Sequence, residues 1–447
     1  MSDPTRPLAV PSSRLSRGVR TGTLTARLMA GMLPGATRAL ASGRRPDPRE
    51  MLLTPANMQR LTSELARMRG AAMKLGQLLS MESGDLVPPE LAQILARLRA
   101  DAHHMPPAQL KRVLLDQYGP DALKRFRRFD PRPVAAASIG QVHRAVAQDG
   151  RELALKIQYP GIRAAIDADV ANLGTLMRYS GLVPAGLDLA PLLDEARTQL
   201  HEEADYTREA RELTRFADLL ADDPEFALPR PHADLSTADI LAMDYMPGRP
   251  IETVEETDQA TRDRVAARLI RLYLREVFDW GQVQTDPNFA NFFHDPDSGR
   301  TVLLDFGAAR SFDAALVDRF RRLMRATAQG EREAIRNALY DIGYMRPETP
   351  AAQQETILRM TALVSGALQG GVFDFGDTTL LDRMRREGER LGMEQGFAEV
   401  PPMDALFLQR KLAGIVLLAT RLRARVDIAA VMAPYLSDAP RPEFCPK

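Results

Sequence analysis

Residues 284–307 read QTDPNFANFFHDPDSGRTVLLDFG. Asp286 and Asn291 stand five positions apart, and an apolar, strand-like run ends at Leu303-Leu304 just before Asp305-Phe306-Gly307. Asn291 and Asp305 supply hard oxygen atoms, the donors that suit Mg²⁺ when it also bridges nucleotide phosphates. Upstream, Leu153-Ala-Leu-Lys156-Ile places one lysine in an otherwise apolar strand. An ammonium buried without a partner is costly, so a phosphate or carboxylate is expected beside it. The plainer alternative is a lysine at a strand edge that snorkels to water.

A third element precedes these. Val134-Ala-Ala-Ala-Ser-Ile-Gly-Gln-Val142 lies between β-like segments. It resembles the glycine-rich loop of protein kinases, G-x-G-x-x-G-x-V, with Ala135, Ala137 and Gly140 at the glycine positions and Val142 at the valine. Alanine at such positions removes part of the freedom that lets loop amides approach phosphates. Lys156 then matches the lysine of V-A-I-K, Asp286 and Asn291 the spacing D-x-x-x-x-N, and Asp305-Phe-Gly307 the literal D-F-G. Each is weak alone; all four in order point to a nucleotide site. No A-P-E follows the D-F-G, Ser311 onward reads as helix, and Gln284-Thr285 stands where a kinase has His-Arg. The peptide-docking and phospho-switch apparatus is therefore missing.

Around these motifs the chain is mostly helical. Apolar residues at three-to-four spacing predict a helix over 51–80, with others over 90–99 and 109–118 after Pro88-Pro89 and Pro106-Pro107. Strands are expected over 134–147 and 152–158, joined at Asp149-Gly150, and over 239–245. A helical region spans 162–220. From Glu255 the chain is helical again, broken only at 281–293 and 301–310, with no further strand cluster after 311.

Composition excludes several classes. The 447 residues are 45% hydrophobic and 26% charged, with Lys+Arg and Asp+Glu both 59, so overall charge makes no case for nucleic acid as a partner. The one cysteine, Cys445, rules out a disulfide framework, and the six histidines show no ligand spacing. The longest clean apolar run, Leu412 to Ala419, is too short to span a bilayer. Charge is uneven, however: residues 1–49 carry nine arginines against Asp3 and Asp47, with apolar residues interspersed. Three readings stay open for this segment: a helix on an anionic membrane surface, a solvated Arg/Pro-rich tail, or an organelle transit peptide.

Lys74-Leu-Gly-Gln77, the Ala-rich loop, Glu203-Ala-Asp205, Gln284 to Asn291 and Asp305-Phe-Gly307 together resemble the UbiB (AarF/ADCK) family of atypical kinase-like proteins over roughly residues 50–447. KxGQ, AAAS and ExD are particular to that family, and Phe373-Asp-Phe-Gly376 with the C-terminal helices is similar to its ubiquinone-linked branch. The resemblance implies an α+β fold, protein-kinase-like and bilobal, with an N-terminal helical KxGQ extension. Its parts would be a basic segment (1–49), the extension (50–125), an N-lobe (126–246) and a helical C-lobe (247–447). It implies ATP and Mg²⁺ as cofactors, with Asn291 and Asp305 on the metal and Asp286, Lys74, Gln77, Glu203 and Asp205 in catalysis. Ala135, Ala136, Ala137, Ser138, Gly140 and Lys156 would meet the phosphates, with Glu209 pairing Lys156. Met243 and Met246 would flank the adenine. Lys74 and Gln77, three residues apart, share a helix face. Without the family pattern, Lys74 reads as a solvated helix lysine and Glu203 with Asp205 as a surface acid pair. Usual bacterial members end in membrane-spanning helices, and this chain does not.

The expected activity is ATP- and Mg²⁺-dependent phosphoryl transfer or hydrolysis that supports ubiquinone biosynthesis at a membrane surface. Expected partners are ATP/ADP, lipid or an anionic membrane, and ubiquinone-biosynthesis enzymes. The expected place is cytoplasmic and peripheral on the inner membrane, or the mitochondrial matrix if 1–49 is a transit peptide. A nucleotide-sensing scaffold with little turnover and a true protein kinase are the alternatives.

Overall fold

The structure, a computed structural model, describes residues 70–72, 74, 104–180, 189–369, 371–397, 399 and 401–436. Segment 1–49, Gln77, the helix expected over 90–99 and most of that over 51–80 lie outside the described residues. Gly70, Ala71, Ala72 and Lys74 are helical and buried. The chain divides into two compact units. One takes the described residues up to Arg211 with Arg230–Tyr245, and the other takes Glu212–Pro229 with the residues from Met246 onward.

In the first unit, α1 (Pro107–Tyr118) opens on a proline whose fixed φ suits the first helical turn. It buries Leu110, Val113, Leu114 and Tyr118 along one face. Strands β1 (Phe126–Phe129), β2 (Ala135–Ala136), β3 (Gly140–Ala147) and β4 (Glu152–Gln158) follow. The β3–β4 hairpin turns at Gly150, whose φ of +93° costs an L side chain dearly. Helices α2 (Ile162–Ser180), α3 (Ala190–Glu203) and α4 (Tyr206–Leu219) come next. The chain enters the second unit at Glu212, adds β5 (Phe226–Ala227) there, and returns at Arg230 for β6 (Ile240–Asp244). The sheet runs β1-β3-β4-β6, with β2 on the β1 edge of β3 and every pairing antiparallel.

Strand β4 is central, which decides how Lys156 sits. Successive side chains point to opposite faces. Leu153, Leu155 and Ile157 join the core formed with Leu110, Leu114, Tyr118 and Phe126. Ala154, Lys156 and Gln158 face the other way, and Gln158 donates to the Ala204 carbonyl at 2.7 Å. The strand-edge reading of Lys156 is thus overturned: β3 and β6 flank it on both sides.

One strand expectation needs correction here, and one strand was not anticipated. The run expected over 134–147 is broken by a turn at 137–139, and β1 precedes it. A register shift between Phe126 and Arg128 leaves Arg127 and Arg128 both exposed, which erases the alternation that would have marked β1 as a strand.

The second unit continues with β7 (Arg249–Pro250) and α5 (Gln259–Arg275), the latter capped by Asp258 accepting from the Thr261 amide. A π-turn over Glu276–Trp280 leads into β8 (Gln282–Gln284), β9 (Phe292–His294), β10 (Thr301–Leu303) and β11 (Ala309–Ser311). The strands pair as β5-β10-β9-β7 and as β8-β11. Helices α6 (Ala314–Gln329), α7 (Arg332–Ile342) and α8 (Ala351–Gln369) follow, then β12 (Val372–Asp374) and α9 (Thr379–Glu389). Helix α10 (Met403–Arg421), β13 (Arg425–Asp427) and α11 (Ile428–Leu436) close the described chain. The β12–β13 pair corrects the expectation of no strand after 311; three residues are too few to show a period of two. Among the described residues, no helix is long and apolar enough to cross a membrane.

Candidate functional site

In the first unit the candidate residues form two ion pairs. Lys156 Nζ donates to Glu209 Oε1 at 2.7 Å and Oε2 at 2.9 Å, with Lys156 8% and Glu209 2% exposed. Glu209 lies in the first turn of α4, where unpaired amides favour a carboxylate. Asp205 caps that helix, its Oδ1 accepting from the amides of Thr207 and Arg208 at 3.0 Å each. Glu203 pairs with Lys74 and also accepts from Ser138 Oγ at 2.7 Å, so one carboxylate joins the helical Lys74 to the Ala-rich loop. Lys74 is 5% exposed, which overturns its reading as a solvated lysine, and Glu203 is engaged rather than one of a free surface pair.

The Ala-rich segment closes into a tight turn. Ala135 and Ala136 pair with Val142 and Gln141 as β2, and the Ala137 amide donates to the Gly140 carbonyl at 2.9 Å. That amide is therefore spent within the turn. Ala137 and Ser138 are half-buried and Ile139 is buried. A Cβ on Gly140 would lie 2.4 Å from the Ile157 carbonyl oxygen and 3.0 Å from the Tyr206 hydroxyl. Close packing on β4 already requires glycine there, independently of any phosphate. Met243 stands opposite Ala154 inside β6, and Met246 follows across the division between the units.

In the second unit the hairpin register brings the 286–291 loop beside the D-F-G segment. Leu303 pairs with Phe292, and the next amide, Leu304, donates to the Asn291 carbonyl at 3.0 Å. Asn291 and Asp305 thereby sit on neighbouring backbone. Thr285 adds a second tie, its Oγ1 donating to the Ala308 carbonyl at 2.8 Å. Asp305 Oδ1 accepts from the Gly307 amide at 3.0 Å, and the buried Phe306 ring rests 4.7 Å from that of Phe216. Asn291 Nδ2 donates to Asp286 Oδ2, and Arg410 NH2 to Asp286 Oδ1, both at 3.1 Å.

No group of three His, Cys, Asp or Glu side chains suited to a metal occurs among the described residues. That excludes an all-protein cage there, but Mg²⁺ keeps several waters and is held by one or two protein oxygens together with phosphate. Asn291 and Asp305 fit that donor set.

Sequence reasoning missed the support beneath this loop. Glu276, Gln284 and Lys411 are all nearly inaccessible to water. Lys411 Nζ donates to Gln284 Oε1 at 2.8 Å and lies 3.9 Å from Glu276 Oε2. Burial pushes the Glu276 carboxyl up to about 7 and the Lys411 ammonium down from its ordinary value. Gly414, one turn on from Arg410 along α10, lets the helix touch Pro287, where a Cβ would come within 2.1 Å of the proline Cβ. The only local signal was Arg410-Lys411 set in a mostly apolar helix.

The ABC1 atypical kinase-like domain matches residues 97–364. Over 425 residues the chain is 35% identical to the yeast Saccharomyces cerevisiae "Atypical kinase COQ8, mitochondrial", covering 94% of this chain and 84% of that protein. Over 437 residues it is 36% identical to the COQ8B atypical kinase of Rattus norvegicus, covering 95% and 81%. Among solved structures, Rv3197 of Mycobacterium tuberculosis, determined as a complex with erythromycin, superposes with a TM-score of 0.59 at 27% identity, over 88% of this chain and 97% of that one. The chain belongs to the ABC1 atypical kinase-like family, the UbiB kinases, and is an atypical kinase of α+β, kinase-like fold.

Proposed function

We propose that this kinase binds ATP with Mg²⁺ and turns it over in support of ubiquinone biosynthesis at a membrane surface. The observation that carries the nucleotide reading is the buried Lys156–Glu209 pair, the arrangement in which a kinase lysine orients α- and β-phosphates. Asn291 and Asp305 would hold Mg²⁺, which when bound neutralises phosphate charge. Asp286 orients the attacking hydroxyl or water. Lys74, Glu203 and Ser138 hold the Ala-rich turn, Gln77 acts from the same extension, and Asp205 sets the helix that carries Glu209. Backbone at Met243 to Met246 meets adenine.

The ubiquinone link rests on the family branch. The membrane link has a second support besides the basic 1–49 segment. Lys111, Arg112, Arg127 and Arg128 are exposed on α1 and β1, and Leu115 (39%) and Leu123 (52%) are exposed beside them in the chain. Exposed basic side chains and leucines close together in the sequence suit an anionic lipid surface.

One observation favours a second reading, a nucleotide sensor with little turnover: the Arg410 guanidinium occupies Asp286 Oδ1, where a base would need to be free. Calorimetric titration of Mg-ATP into wild type and Asp305→Asn tests the leading reading. A neutral amide cannot balance the metal charge, so Mg-dependent affinity should fall at least roughly tenfold in a folded variant. Unchanged affinity would remove Asp305 from the site. Phosphate release with and without anionic vesicles then separates an active enzyme from a sensor.

A further inference from the structure

We propose that Lys411 of α10 is the positioning residue of the Asp286–Asn291 loop, with Glu276 holding its ammonium in place. The inference rests on reading that loop as catalytic. One buried ammonium meets the chain on both sides of it. Before the loop, Lys411 Nζ donates to Gln284 Oε1 at 2.8 Å; after it, the same Nζ lies 5.1 Å from the centre of the Phe292 ring. Gln284 stands two residues before Asp286, and Phe292 immediately follows Asn291.

The arrangement is poorly explained as a source of stability. Glu276 Oε2 and Gln284 Nε2 are buried without a hydrogen-bond partner among the described residues. The carboxylate and ammonium stand 3.9 Å apart, too far for a direct hydrogen bond. Apolar side chains of similar volume would serve the core equally well or better. A rigid link from α10 to both ends of the loop is what apolar residues could not supply. This chain lacks the His-Arg that precedes the catalytic Asp in ordinary kinases, and Gln284 in its place reaches Lys411 instead.

The test uses full-length wild type, Lys411→Met and the double variant Lys411→Met/Glu276→Gln. The single variant leaves a buried carboxylate unpaired and should melt lower; the double removes both charges and should recover melting temperature. Loop placement is read by hydrogen exchange of the amides in 284–292, and chemistry by phosphate release and Mg-ATP affinity.

We expect faster exchange in that segment in both variants. Phosphate release should fall roughly tenfold or more while ATP affinity stays within about twofold, a loss confined to turnover. If the double variant regains turnover along with its melting temperature, or its loop amides exchange as in wild type, Lys411 is only structural and the proposal is overturned. Failure of the double variant to fold overturns it as well, since a balanced core without a positioning residue should still fold. A wild type that neither binds Mg-ATP nor releases phosphate would defeat the proposed function, and loop exchange would still decide the positioning.

Discussion

Ala137 is the residue at which the proposed nucleotide handling would meet loop conformation. Its amide closes a turn onto Gly140, and the neighbouring Ser138 is tied to Glu203 and through it to Lys74. Glycine at 137 would widen the backbone choices of this turn and let an amide leave Gly140 for a phosphate. For Ala137→Gly we expect tighter ATP or ADP binding, and phosphoryl transfer onto the chain itself is the change to watch for. Glycine's extra unfolded-state entropy costs about 0.5–1 kcal/mol, so the variant should remain folded. Titration of both nucleotides beside wild type, with a self-phosphorylation assay, checks this; three unchanged values would place the turn away from the phosphates. At this scale the sequence was informative about residue type and silent about partners. A lone lysine in an apolar strand demanded an anion, but nothing local told Ser138 to seek Glu203, 65 positions away.

Among the elements, α10 meets the 284–292 segment from outside the strands that carry it. Three of its residues, Arg410, Lys411 and Gly414, meet Asp286, Gln284 and Pro287, and their spacing of one, three and four puts them on one side of the helix. Gly414 would ordinarily be a weakness in a 19-residue helix, costing about 1 kcal/mol against alanine. Contact with Pro287 explains it. Gly414→Ala gains helix propensity but drives a methyl into a proline ring that cannot swing aside. Overpacking of this kind costs about 1–3 kcal/mol, so we expect a lower denaturation midpoint and a larger drop in phosphate release than in ATP affinity. A variant that is more stable and equally active would mean that the loop yields freely to α10. The apolar run of α10 was legible in advance; its role was not, because 124 residues separate Arg410 from Asp286.

For the whole molecule, the proposed membrane action calls for a local basic surface, because the total charge is balanced. The 1–49 segment carries +7, and each basic residue close to an anionic surface contributes on the order of 1 kcal/mol within a Debye length. Flotation of full-length protein on anionic vesicles should therefore exceed that of a chain beginning at Glu50, and the difference should shrink as salt rises. Equal flotation at low salt would make 1–49 a solvated leader and leave attraction to the exposed arginines of the first unit. Mutating Arg127 and Arg128 in the shortened chain would then show which surface acts.

By itself the sequence determined the order of the nucleotide motifs, the β3–β4 hairpin, the apolar strand with its single lysine and the helical character of the C-terminal residues. These are written in local spacing: a period of two or three to four, a glycine at a turn, an apolar run before Asp-Phe-Gly. Tertiary structure alone decided that Lys74 is buried against Glu203, that Gly140 is demanded by Ile157, that 372–374 and 425–427 pair, and that α10 underpins the loop at Asp286. Each joins residues distant along the chain. A buried charge or a missing side chain takes its meaning from whichever atom the fold brings against it, and that atom leaves no mark in the neighbouring sequence.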